Sequence, residues 1–67
     1  MDLTMAERVV EGIELVLKYD LNAKVCAEHD VLTFGSEDTW KRMTAAERVR
    51  MKQLGWYLEL DSLNIRP

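Results

Sequence analysis

The 67-residue sequence has little of what marks the specialised protein classes. One cysteine cannot form an internal disulfide, which excludes a stapled secreted scaffold. One proline and three glycines exclude collagen and low-complexity linkers. Those glycines stand apart, at positions 12, 35 and 55, so no glycine-rich loop exists to cradle a phosphate. No apolar run approaches the ~20 residues of a membrane span. The start, Met-Asp-Leu-Thr, has neither the basic region nor the apolar stretch of a signal peptide. The expectation is a cytoplasmic chain with no membrane partner.

What is present points to one small α+β domain over residues 1–67. Hydrophobic residues make up 48% and charged residues 31%, with a net charge of -3, too apolar and too weakly charged for a disordered chain. A domain this small buries only about 60% of its unfolded surface. Without disulfide or metal, an efficient core or a covering partner must stabilise it, which argues for a binding role or a homodimer. Catalysis is not expected, because holding several catalytic groups needs a rigid supporting shell. The charge is uneven: residues 1–40 hold nine acids and three bases, whereas residues 41–52 hold five bases and one acid.

Helix signals come first. Thr4 and Glu7 have capping-box spacing, opening a helix over 5–19. Ala6, Val9, Val10, Ile13, Val16 and Leu17 share one face of it. Leu15 points almost opposite, among Arg8, Glu11 and Lys18, as an exposed leucine or as a contact with another chain. Thr44 and Glu47 repeat the box and open a helix of about 45–54, ended by Gly55 as a left-handed cap. Its apolar positions (Ala45, Ala46, Val49, Met51, Leu54) form no clean stripe.

Strands fill the rest. Lys24–Ala27 and Val31–Phe34 read as β, joined by a hairpin at Glu28-His29-Asp30, where His and Asp tolerate positive φ. Residues 35–42 read as a polar loop holding Trp40. Trp56–Leu60 reads as a strand turned by Asp61-Ser62, with a short return at Leu63–Ile65. The expected order is α-β-β-α-β(-β), both helices on one face of an antiparallel sheet. The expected core is Val9, Val10, Ile13, Val16, Leu17, Val25, Ala27, Leu32, Phe34, Leu54, Trp56 and Leu58. Thr4–Val9 and Thr44–Val49 match at five of six positions. This is either an αββ unit used twice or two helix starts with the same capping chemistry; the short extent of the match favours the second.

Few residues can carry chemistry. His29 lies between Glu28 and Asp30, and a His beside a carboxylate can act as a base, but strand neighbours point to opposite faces, so in a strand Asp30 does not orient the ring. Shaping the turn is its simplest role. Cys26-x-x-His29 supplies two ligands where structural zinc needs four, and Glu28, Asp30, Glu37 and Asp38 lack calcium-loop spacing. No metal or cofactor is expected, and Cys26 reads as a small buried strand residue. For a protein partner, the candidates are Glu28, His29 and Asp30 at the hairpin tip, Glu37, Asp38 and Trp40 in the next loop, and Tyr57. The alternative is a nucleic-acid surface of Lys41, Arg42, Arg48, Arg50 and Lys52 beside an aromatic. Against it stand the acidic chain as a whole and the spread of these cations around the helix, where they can complement the acidic first half.

The stretch Ala27-Glu-His-Asp-Val-Leu32, then Gly35, a short capped helix and Leu54-Gly-Trp56, resembles small uncharacterised phage and prophage-type bacterial proteins. These carry an A-x-H-D-x-hydrophobic turn and a later L-G-W helix end. The likeness covers about residues 24–60, and where those proteins end on an aromatic pair, Leu63 and Ile65 stand here. The resemblance implies no established activity. It implies a mobile-element origin, and small phage proteins of this size commonly bind host machinery as inhibitors or adaptors, anti-CRISPR proteins being one such class. The expected function is therefore a non-catalytic protein-binding module, inhibitory in this sense.

Overall fold

The computed structural model describes residues 2–66. Its elements run α1 (Met5–Tyr19), β1 (Val25–Glu28), β2 (Val31–Ser36), α2 (Glu37–Arg42), α3 (Ala45–Leu54), β3 (Trp56–Glu59) and β4 (Ser62–Ile65). Both long helices begin on the same device. The Thr4 hydroxyl accepts the Glu7 amide at 3.1 Å, and the Glu7 carboxylate accepts the Thr4 amide at 3.0 Å. Thr44 and Glu47 repeat this at 3.1 and 2.8 Å. Each threonine contributes about 1 kcal/mol. At the end of α3, Gly55 takes φ 102 and donates to the Lys52 carbonyl at 3.1 Å.

The four strands form one antiparallel sheet in the order β1-β2-β4-β3. Two-residue turns close both hairpins: His29-Asp30, with His29 at φ 55, and Leu60-Asp61, at φ 52 and 61. The second turn thus falls one residue earlier than the sequence implies, and β4 begins at Ser62. The chain uses α-β-β twice, around the central β2–β4 pair. Glu28-His29-Asp30-Val31-Leu32 and Glu59-Leu60-Asp61-Ser62-Leu63 hold equivalent places in the two hairpins. The two matching helix starts each open a helix that is followed by a hairpin, α1 before β1–β2 and α3 before β3–β4, and the match itself stays within the first turns.

Helices cover one face of the sheet. Val16, Met51 and Leu54 from the helices meet Phe34, Trp56, Leu63 and Ile65 from the strands, and Met43 fills the join between α2 and α3. Trp56 is the largest buried side chain, and its ring lies on α1. Its Nε1 donates to the Arg8 carbonyl at 3.1 Å. Gly12 makes the approach feasible: a Cβ there would stand 2.0 Å from that nitrogen.

Several expectations are corrected. Residues 37–42 are a helix, not a loop: Ser36 caps it through the Thr39 amide, and Thr39 is buried beneath. Val10, Val25, Ala27 and Leu58 are exposed, whereas Met43, Met51, Leu63 and Ile65 are core. Leu15 is half-buried against the core, because it lies between Glu11 and Lys18 on the flank that faces α3. Cys26 is exposed, because neither face of β1 is covered.

Candidate functional site

Side chains alternate across a strand, so helices on one face leave the other bare. Register places Cys26, Thr33, Asn64 and Tyr57 in one row across this open face. The Thr33 hydroxyl donates to Asn64 Oδ1 at 2.6 Å. The Asn64 amide nitrogen donates to the Ser62 and Glu59 carbonyls at 2.9 and 3.3 Å. Asn64 is thereby satisfied though buried, and it braces the β3–β4 hairpin from within. Over this row lies a shallow hollow of about 280 Å3, lined by Val31, Thr33, Tyr57, Leu60, Asn64 and Arg66 among others. A second, of about 290 Å3, follows the same face toward Lys24 and Ser36.

Leu60 is the conspicuous residue of this surface. Its φ of 52 lies in the left-handed region, where a Cβ crowds the backbone at a cost of about 1–2 kcal/mol. Its side chain is 90% exposed, so no packing offsets that cost. The neighbouring Asp61 carbonyl accepts the Glu37 amide at 2.9 Å, which ties the turn to the start of α2. The two carboxyl groups lie together here. A hydrogen bond and repulsion from Glu37 raise the Asp61 carboxyl, while Lys41, 3.0 Å from Glu37, holds Glu37 low.

The residues proposed from sequence do not form one patch. Glu28, His29 and Asp30 are exposed at the β1–β2 tip, where β2 begins. Glu37 and Asp38 follow its far end, roughly 17 Å along a six-residue strand. Trp40 is half-buried against the core rather than standing in a loop. Its carbonyl accepts Arg48 Nε at 3.0 Å, and Lys52 Nζ sits 5.9 Å from its ring centroid. Tyr57 lies on the open face between the two ends, lining the hollow with Leu60. Sequence reasoning missed Leu60, Thr33, Asn64 and Arg66. A signal for the first was present, since Leu-Asp is a poor pair for a two-residue turn between strands.

The basic stretch is engaged from within. Lys41 and Arg42 pair with Glu37 and Asp38 one turn back, each at 3.0 Å. Arg50 grips Glu11 of α1, its Nη2 donating at 2.9 Å. Arg48 also donates to the Lys41 carbonyl at 3.0 Å. Lys52 has no carboxylate partner among the described residues. A further seam joins α1 to the start of α3: Lys18 pairs with Glu47 at 2.8 Å, and the Tyr19 hydroxyl donates to the same carboxylate. Lys18, then Tyr19 and the Thr44 amide, pull Glu47 down to about 2.

His29 and Cys26 project from an exposed turn and an exposed strand. Among the described residues, no three Cys, His, Asp or Glu side chains gather as a metal cluster, and no helix is long and apolar enough to cross a membrane. No family model, curated protein or solved structure matches the chain.

Proposed function

We propose that the chain is a non-catalytic protein-binding module that docks through the open face of its sheet, with Leu60 as anchor and Tyr57 beside it. The observation that carries this reading is Leu60, a large apolar side chain 90% exposed on a left-handed backbone. Such strain persists where the surroundings over-determine it, and it clusters at sites that serve something outside the fold. Leu60 and Tyr57 supply the apolar and aromatic anchors of such an interface, and the polar and charged residues at both ends of the face supply its rim. Glu37 and Asp38 flank the turn end of this face, and Glu28, His29 and Asp30 flank the other end as rim. Trp40 keeps a packing role. Inhibition of host machinery, of the anti-CRISPR kind, is the form of binding we propose from the resemblance to phage proteins. The nucleic-acid alternative loses force from the pairing of Lys41, Arg42 and Arg50 with carboxylates.

The test uses Leu60→Asn. Asparagine tolerates the left-handed region, so this variant is expected to gain about 1 kcal/mol in urea unfolding while losing its partner. Immobilised native and variant proteins are exposed to nuclease-treated bacterial lysate at low and moderate salt. A stoichiometric protein held by the native chain and absent from the variant supports the reading. Equal retention by both removes Leu60 from the interface. Recovery from untreated lysate of only nucleic acid that leaves with added salt overturns protein binding in favour of the basic stretch.

A further inference from the structure

One edge of the sheet is open to another strand. β1 lies at the end of the strand order, and all four of its residues are exposed, Val25 to 60%. In a hairpin closed by a two-residue turn, Glu28 and Val31 form the hydrogen-bonded pair next to the turn. Alternation then sends the backbone groups of Glu28 and Cys26 toward β2, and those of Val25 and Ala27 outward, unpaired within the chain. Lys24 precedes the strand and Glu28 ends it. Neither forms an ion pair among the described residues. Lys24 and Glu28 stand symmetrically about Cys26, so the edge is complementary to itself when reversed.

We propose that β1 pairs antiparallel with β1 of a second copy of this chain, about a two-fold axis through Cys26. Lys24 then faces Glu28 of the second copy at both ends. Val25 and Ala27 exchange backbone hydrogen bonds with Ala27 and Val25 of the second copy, and their apolar side chains meet on the helix side of the sheet. The two Cys26 residues form the central non-hydrogen-bonded pair, with Cα atoms about 4.5 Å apart. A parallel pairing in register would instead set Lys24 on Lys24 and Glu28 on Glu28. The antiparallel pairing joins two sheets into one continuous sheet and leaves the Leu60 turn, on the β3–β4 hairpin, free. It does not depend on the docking role assigned to that turn.

Sedimentation equilibrium of the intact native protein, up to roughly 1 mM, reads the association, because an interface of this small area is weak. A monomer–dimer equilibrium is expected, and a monomer throughout overturns the proposal. Lys24→Glu and Glu28→Lys each create two like-charge pairs, and each is expected to raise the dimer Kd roughly tenfold or more. An equimolar mixture of the two variants sets opposite charges at both ends and is expected to regain native association. A dimer unmoved by either variant, or a mixture no better than its components, overturns the register. Both side chains are exposed, so unchanged far-ultraviolet circular dichroism is expected in each variant and separates lost association from lost folding. A short bifunctional thiol reagent should join native chains through Cys26. A native dimer that it cannot join overturns the placement of the axis.

Discussion

The two αββ halves follow the same path and treat their outer strands in opposite ways. In the second half, β3 opens with Trp56, 2% exposed and hydrogen-bonded to α1. In the first, the equivalent place in β1 holds Val25, bare to solvent. The helices differ to match. Eight residues beyond each capping threonine stand Gly12 and Lys52. Gly12 leaves a slot into which the Trp56 ring fits, whereas Lys52 carries a long side chain that meets Trp40 from α2. Both strands have ordinary β-forming residues, so strand propensity does not separate them. What separates them is a large side chain matched to a missing one on the facing helix.

That contrast can be broken at its strongest point first. Trp56→Ala should cost about 3–5 kcal/mol, close to the whole stability of a domain this size, and abolish the cooperative urea transition. Val25→Ala should cost less than about 0.5 kcal/mol. Similar losses from the two would mean that the halves are equally sealed. Next comes the slot itself. Gly12→Ala improves helix propensity by up to about 1 kcal/mol, yet it drives a methyl group into the indole, and a net loss of about 1–3 kcal/mol is expected. Lys52→Ala, at the equivalent place, should stay within about 0.5 kcal/mol. Denaturant melts of both variants decide the matter.

The smallest effect concerns the two capping carboxylates. Glu7 is held low by the Thr4 amide and hydroxyl alone, whereas Glu47 also binds Lys18 and Tyr19 and lies at about 2. A carboxylate whose folded pKa is depressed stabilises the fold above its ordinary value, here 4.5, and loses that contribution as pH falls toward about 2. The urea midpoint of the native protein should therefore fall through this window. Glu47→Gln should flatten the decline, and Glu7→Gln should flatten it less. An unchanged slope in Glu47→Gln would remove the seam between α1 and α3 from the acid response.

Much of this architecture could be read from the residues. The capping boxes at Thr4 and Thr44, the stripe through Val9, Ile13 and Val16, and Gly55 place both long helices. The alternation around His29-Asp30 places the first hairpin. α2 escaped because six residues with one large apolar side chain carry no periodicity, and its cap is a serine–threonine pair rather than a serine–glutamate pair. Met51 escaped for a related reason. α3 buries only Met51 and Leu54, three residues apart, too few to stand out from Ala45, Ala46 and Val49. The exposure of Val25 and Ala27 was hidden because strand pattern assigns faces but does not say which strand a helix reaches. The candidate site was less legible still. Tyr57 stands out in the sequence as an aromatic within the strand expected over Trp56–Leu60, but the role proposed for Leu60 rests on a backbone angle, and that angle depends on the turn closing at Leu60-Asp61 rather than one residue later.

The strand order carries a consequence for the way the chain comes together. Within each hairpin the paired residues are near neighbours in sequence, so those contacts form at little cost in chain closure. The middle of the sheet is different: Leu32 meets Ile65 and Thr33 meets Asn64. Closing a loop of that length costs roughly 3 kcal/mol of chain entropy, and the return comes only when the two inner strands zip. The β2–β4 seam shares the non-local order of the molecule with the contacts of α1, where Arg8 meets Trp56, Glu11 meets Arg50 and Lys18 meets Glu47. Joining the two hairpins is therefore the step that carries this closure cost, and Leu32 and Ile65 line the β2–β4 part of it on the helix side.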